Sequence, residues 1–437
     1  MIESWRQFVI QNDKSCLIIG LLAIIVLITG IMSPIIPVVF FLLLVFLIII
    51  KDHRFGTLIL IILTFTNVAA QKLTETYHIM LLLTAITLFS LMLSFLRGKI
   101  QIKGIREFNF LLIIFAVWAF LSGILAIDHT LWIASIYEMT RAFLLLYLIY
   151  NSFSKKEEVL FIFKISVLSL FISSLASFLF TGGLSFNLLA SFFMTRFTGS
   201  ALDPNYYAMT VAAVIPLAFV ATTRESHMIL RFFWILSALF LIFTVIISQS
   251  RTGLLSISVV FFYTMIYLLR RKRKEALFVL IPVIIIVLML PSYTWHRLFL
   301  FLNTILTGVR SDISVTHRFA LLGAAFDVFI KNPIFGVGLW NFQIHAPHYT
   351  PYPMIAHNTY LEIASGLGLL GLIPFLMILH RGFIISKKAM NEPLAQELAW
   401  ALSAALLGMF ISMFFLSVPF KLDLWVMFGL AAVIGKK

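Results

Sequence analysis

The sequence predicts an all-α, polytopic bundle of about 12–14 membrane-spanning helices, with a large external loop carrying short helices before the last three. Three observations lead there. Of the 437 residues, 62% are hydrophobic and 11% charged, and the mean hydropathy is +1.07, well outside the balance of a soluble domain. Apolar runs of roughly 16 to 22 residues recur along the chain, each long enough to cross a ~30 Å hydrocarbon core at about 1.5 Å per residue. The basic residues also segregate to alternate connections between those runs, as the positive-inside rule requires.

Taken in order, the fourteen runs are 16–32, 35–50, 55–70, 77–96, 108–126, 132–150, 159–181, 204–222, 229–247, 253–270, 276–291, 357–380, 396–416 and 419–435. Ser33-Pro34 divides the first two. With a cytoplasmic N-terminus, the cytoplasmic connections include KDHR (51–54), RGKIQIKGIR (97–106), RRKRKE (270–275) and RGFIISKK (381–388), and this side holds 22 of the 32 basic residues. Arg141 and Lys164 fall inside spans, leaving Lys72, Arg196, Arg251, Arg297, Arg310, Arg318, Lys331 and Lys421 on the opposite side. The net charge of +14 is thus mostly topological, and no nucleic-acid partner is needed to explain it. The lone Cys16 excludes an intramolecular disulfide and a multi-cysteine metal site. No small-residue cleavage site follows the first run, so it is expected to stay as a span.

This orientation divides the chain into N-terminal transmembrane helices (1–291), an external loop (292–356) and C-terminal transmembrane helices (357–437). The loop carries Trp295, Phe299, Phe301, Trp340, Phe342, Tyr349 and Tyr352, too many aromatics for a disordered segment. From Ser314 to Lys331, apolar residues at Phe319, Leu322, Phe326, Phe329 and Ile330 predict a helix lying along the bilayer surface. Pro333, Gly336-Val337-Gly338 and a proline-punctuated stretch then lead to His357.

Four patches share the external side: RFTGSALDPNYYA (196–208), SQSRTG (248–253), Thr316-His317-Arg318, and AHNTYLEIASGLGLLG (356–371). If His357 occupies the first turn of its helix, free N–H groups and the helix dipole favour an anion and a neutral imidazole. On that helix His357, Leu361, Ala364, Gly368 and Gly371 would share one face, with small residues admitting a neighbouring helix. Arginines beside a neutral histidine suit a pyrophosphate gripped by guanidinium forks while the imidazole takes a proton from a hydroxyl. Plainer roles stand beside these. Arg251 can snorkel to headgroups, and Arg196 and Arg318 can hold anionic lipid. Asp203, Asp312 and Asp327 are candidate bases, and Asp203, which precedes a proline, is equally a helix cap. Glu138 and Arg141 should neutralise each other on one helix. His345 and His348 lack metal-ligand spacing, so neither a metal nor another cofactor is expected. A lipid-linked oligosaccharide flippase is the reading from a different class; transporters put polar sites at the midplane in two related halves, and here the polar groups gather at one surface.

The chain resembles the O-antigen ligase and O-antigen polymerase superfamily. The resemblance lies in His357-Asn358 followed after nine residues by Gly368 and Gly371, the SQSRTG turn, His317-Arg318, NPIFGVG (332–338) and the large loop before the last spans, over roughly residues 190–380. It implies a GT-C-like fold and a metal-independent, inverting glycosyl transfer from undecaprenyl diphosphate to an acceptor hydroxyl. It implies a bacterial inner membrane, with cytoplasmic termini and a periplasmic site. His357 would be the general base; Arg251 and Arg318, helped by Arg196, would bind the diphosphate. Supporting residues would be His317, Asn358 and Asp203, with Trp340, Tyr349 and Tyr352 stacking on sugar rings. The implied partners are the undecaprenyl-diphosphate-linked glycan, a glycan or lipid A core acceptor, and membrane lipids. Ligases are expected to have twelve spans rather than fourteen. The single Arg297–Gly308 fit to the polymerase spacing Arg-x10-Gly, with few external basic residues, leans towards the ligase.

Overall fold

The computed structural model describes residues 43, 45–66, 79–106, 108–180, 196–199, 201, 203–271, 299, 303, 313–351 and 354–436. These fall into two compact units, one drawn from Met1–Gly56 and Ala85–Gln101, the other from Thr57–Thr84 and Ile102–Lys437. In the first, the Ser90 hydroxyl donates to the Ile50 carbonyl at 3.2 Å.

The helices are α1 (His53–Phe65), α2 (Ile79–Leu96), α3 (Asn109–Leu121), α4 (His129–Ser152), α5 (Lys156–Phe180), α6 (Pro204–Thr223), α7 (Met228–Ser248), α8 (Arg251–Arg271), α9 (Ile313–Lys331), α10 (Phe342–His345), α11 (Thr359–Ala389), α12 (Gln396–Ser412) and α13 (Leu422–Ile434). Eleven of the fourteen expected runs coincide with them. The runs 16–32, 276–291 and most of 35–50 lie outside the described residues. Among the described residues, seven helices (α2, α4, α5, α6, α7, α8 and α11) are long and apolar enough to cross a membrane. The architecture is therefore an all-α, polytopic helical bundle.

The second unit is organised around α6. Asp203 caps it, and Pro204 follows, where a missing N–H costs nothing. Its residues are buried almost all round, against α5, α7, α8 and α12, so its apolar positions show no single stripe. Small residues permit close crossings. A Cβ on Gly253 of α8 would meet the Ala208 Cβ of α6 at 2.2 Å, and one on Gly408 of α12 would meet Val260 at 2.7 Å. Charges inside helices are neutralised. Arg141 donates to Glu138 at 2.6 Å and lies over the Tyr137 ring, the pairing expected from their spacing; Lys164 reaches Glu225 at 2.7 Å.

Helix α9 shows both faces of the expected amphipathic helix. Phe319, Phe326 and Ile330 are exposed, whereas Leu321, Ala324, Ala325 and Val328 pack with Val337, Phe342, Ala346 and Ala356. The exposed apolar stripe is the one read from the sequence; the face that holds the helix down is built from smaller residues.

Helix α11 has 31 residues, about 46 Å, which exceeds a ~30 Å bilayer core. It is broken at Gly368, where φ is 61° and ψ −162°. Nearly every residue before the break is buried, whereas Leu369, Leu370, Ile373, Leu376 and Met377 beyond it are exposed. From Gly368 to Ala389 the helix runs about 32 Å, one bilayer core in length.

Candidate active site

The N-terminus of α6 gathers the first two patches. The Asp203 carboxylate accepts from the Asn205 and Tyr206 N–H groups at 2.7 and 3.1 Å, so the cap reading describes its backbone contacts. Asn205 then links two arginine-bearing segments. Its Oδ1 accepts from Arg196 at 3.2 Å and from the Ser250 hydroxyl at 2.8 Å, while Arg196 Nε donates to the Ser248 carbonyl at 3.3 Å. Ser250 Oγ also accepts from the Gly253 N–H at 3.1 Å. The SQSRTG motif is the break between α7 and α8: Gln249 takes a left-handed φ of 52°, and Arg251 opens α8.

The other two patches meet the first at His357. Burial pushes the His357 pKa below its ordinary 6.5, the Arg318 charge lowers it further, and the Asp203 carboxylate opposes them. Arg318 is half-buried in α9. Arg318 and Asp203 thus act on His357 from two separate segments, and Asn205 ties Arg196 and Ser250, the neighbour of Arg251, to the helix terminus that Asp203 caps.

The local geometry of His357 differs from expectation. Helix α11 starts at Thr359 with Asn358 as its cap, so His357 precedes the helix instead of lying in its first turn. Three of the N–H groups there are engaged. Thr359 N–H donates to Met413 O at 2.8 Å, Leu361 N–H to Asn358 Oδ1 at 2.9 Å, and Glu362 N–H to Asn358 O at 2.9 Å. These bonds tie the helix terminus to its cap and to the α12–α13 loop. His357 itself has φ 51°, a conformation that disfavours side chains with a Cβ. Asn358 Nδ2 donates to Phe414 O at 3.1 Å, so its role here is to cap and brace.

The glycines of the motif also do something other than admit a helix. The stretch 333–338 enters the break in α11 and forms a ladder of backbone bonds: Leu369 N–H to Pro333 O at 2.8 Å, Leu370 N–H to Ile334 O at 3.3 Å, Val337 N–H to Ser365 O at 3.0 Å and Gly338 N–H to Gly366 O at 2.8 Å. A Cβ on Gly368 would fall 2.3 Å from Ile334 O, and one on Gly336, at φ 73°, 2.4 Å from the Gly366 carbonyl. Trp118 Nε1 donates to the freed Leu367 carbonyl at 2.8 Å. Five backbone groups at the break are thereby paired within the protein, as a break in an apolar helix requires. The loop is pinned again where Asp128 N–H donates to Asn341 Oδ1 at 2.8 Å.

Among the remaining expected residues, Tyr349 packs on the α9 cluster beneath the Lys331 ammonium, 4.7 Å from its ring. Trp340 is half-buried with φ 60°, and His317 is half-buried in α9. Tyr352, Asp312, Arg297 and Gly308 lie outside the described residues. Four groups escaped sequence reasoning: Tyr206, Asn205, Trp118 and Glu362. Glu362 alone carried a usable signal, a carboxylate one turn beyond the histidine in an apolar stretch.

Residues 236–376 match the family model described as O-Antigen ligase. No curated protein matches the chain. The matched stretch carries Arg251, Arg318, the inserted 333–338 loop, His357 and the α11 break, so in residues 236–376 this multi-pass membrane protein is similar to the O-antigen ligase family.

Proposed function

We propose that the chain is a glycosyltransferase that moves a glycan from undecaprenyl diphosphate to an acceptor hydroxyl at the periplasmic face of a bacterial inner membrane. It acts in the manner of an O-antigen ligase, with a lipid A core sugar as acceptor. The observation that carries this reading is the electrostatic coupling of His357 to Arg318 and Asp203, with Arg196 and the Arg251 turn tied to the same helix terminus through Asn205. His357, neutral, takes the proton of the acceptor hydroxyl as its oxygen attacks the anomeric carbon from the face opposite the diphosphate. The bond from that carbon to the diphosphate breaks, configuration inverts, and undecaprenyl diphosphate leaves. Arg251 and Arg318, with Arg196 beside them, neutralise the departing charge by two-point contacts, so the step needs no divalent ion.

The test is a glycan profile from cells lacking the protein, separating lipid-linked from envelope-attached chains by length. Long polymers stranded on undecaprenyl diphosphate are the expected result. Accumulated single repeat units would make the protein a polymerase, and units trapped on the cytoplasmic leaflet would make it a transporter. Restoring His357→Ala should leave the defect in place, and a variant that inserts normally with full transfer removes the base from the scheme. Arg251→Lys and Arg318→Lys should each impair transfer, because an ammonium cannot make the planar fork.

A further inference from the structure

We infer that Glu362 is a positioning residue for His357, clamping the peptide on the histidine's N-terminal side; this rests on the role proposed for His357 as the base. Glu362 is 1% exposed. Its Oε2 accepts from the Ala356 N–H at 2.8 Å and from the Ser417 hydroxyl at 2.9 Å, while its Oε1 is buried with no hydrogen-bond partner among the described residues.

The need for such a clamp follows from the backbone. His357 sits at φ 51°, and a residue with a Cβ stays in that region only when its surroundings hold it there. On its C-terminal side the restraint is visible: Asn358 caps α11 and grips Phe414 O, and Thr359 N–H grips Met413 O. On its N-terminal side, the Ala356 N–H is held by Glu362. The carboxylate is itself fixed, because the Glu362 N–H makes an intrahelical bond of α11 to Asn358 O. Ser417 ties it to the same α12–α13 loop that secures the other side. One loop and one helix terminus thus fix both flanks of the histidine.

A buried carboxylate with one oxygen unpaired is a costly way to hold a single N–H. Where folding is the only requirement, a small apolar residue with a rearranged turn serves better. The cost is understandable if the imidazole must point at one place, since small misplacements of a catalytic group cost on the order of 100-fold in rate.

The test compares Glu362→Ala, Glu362→Gln and Ser417→Ala in the full-length protein. Transfer is measured in membranes from cells lacking the native copy, which supply donor and acceptor, and affinity for undecaprenyl diphosphate is measured on purified protein. Glutamine keeps a carbonyl oxygen for Ala356 and Ser417, so Glu362→Gln should stay within about threefold of wild type, while Glu362→Ala falls by on the order of 30- to 100-fold. Ser417→Ala should lose several-fold. All should bind undecaprenyl diphosphate about as well as wild type, separating positioning from donor binding. Wild-type transfer by Glu362→Ala, or Glu362→Gln as poor as Glu362→Ala, overturns the assignment. If Glu362→Ala does not fold, the other two decide: wild-type transfer by Ser417→Ala, or loss in Glu362→Gln, is equally fatal. A wild-type protein that fails to bind undecaprenyl diphosphate, or a fully active His357→Ala, sinks the proposed function instead.

Discussion

Consider alanine at Gly368. The position has φ 61° and ψ −162°, a region used almost only by glycine, so the backbone strain alone is about 1–3 kcal/mol. The added Cβ would lie 2.3 Å from Ile334 O and 2.4 Å from Ile334 C. Both are main-chain atoms that cannot swing aside, so the 333–338 loop must withdraw. Withdrawal breaks the four backbone bonds of the seam, at about 1 kcal/mol each. Together these come to about 5–7 kcal/mol, comparable with the whole net stability of many domains. Gly336→Ala strikes the same seam from the loop side, its Cβ 2.4 Å from the Gly366 carbonyl. Because either substitution already empties the seam, the double variant should cost only ~1–3 kcal/mol more than one alone, and strongly sub-additive behaviour is expected. Thermal unfolding of the purified protein, followed by tryptophan emission, reads this directly, since Trp118 is bonded into the seam at Leu367 O. A Gly368→Ala protein that melts with the wild type, or a pair whose costs simply add, would show that the loop does not hold the break.

Further outcomes follow from the same geometry. Transfer should fall on acidification with a midpoint below the ordinary histidine 6.5, because burial and Arg318 lower the His357 pKa and the proposed base works only when neutral. Asp203→Asn keeps the cap but removes the charge that opposes them, so the midpoint of the pH–rate profile should move lower still; an upward shift contradicts the coupling. Trp118→Phe leaves the Leu367 carbonyl buried without its donor and should cost about 1–3 kcal/mol in a denaturation series. Gly253→Ala drives a Cβ to 2.2 Å from Ala208 and should destabilise by ~1–3 kcal/mol while displacing Arg251. By contrast, Gly323→Ala on exposed α9, with nothing within 4 Å, should gain up to ~1 kcal/mol; a melting comparison of the two checks both signs.

The bundle was legible because hydropathy and charge sidedness are local properties, and eleven runs could be delimited without knowing what they touch. The Asp203-Pro204 cap was legible for the same reason, since a side chain two residues from the N–H it accepts needs no tertiary partner. The break in α11 was not. Its apolar run reads as one helix because unwinding depends on Pro333 to Gly338, some thirty residues away in sequence, and Gly368 alone signals only permissiveness. Reading Gly368 and Gly371 as a helix-docking face assumed a continuous 3.6-residue period through the point where the period stops. Glu362 was passed over because its meaning depends on Ser417, 55 positions on.

The spacing of His357-Asn358 to Gly368 acquires a physical sense once both ends are seen as anchors. From the Asn358 cap to the Gly368 break the helix climbs about 15 Å, and every residue between is buried or half-buried. At the upper end the α12–α13 loop grips Asn358, Thr359 and Glu362; at the lower end the 333–338 loop and Trp118 grip Ser365 to Leu370. The segment is a strut clamped twice, and a helix turns about 100° per residue. One residue more or fewer between the clamps would leave the seam intact only by swinging His357 about 100° away from Arg318 and Asp203. The motif is therefore better understood as a length than as a set of chemical groups. In the proposed reaction the histidine carries the chemistry, the glycine marks where the strut is bolted to the bundle, and the residues between set the angle at which one is presented relative to the other.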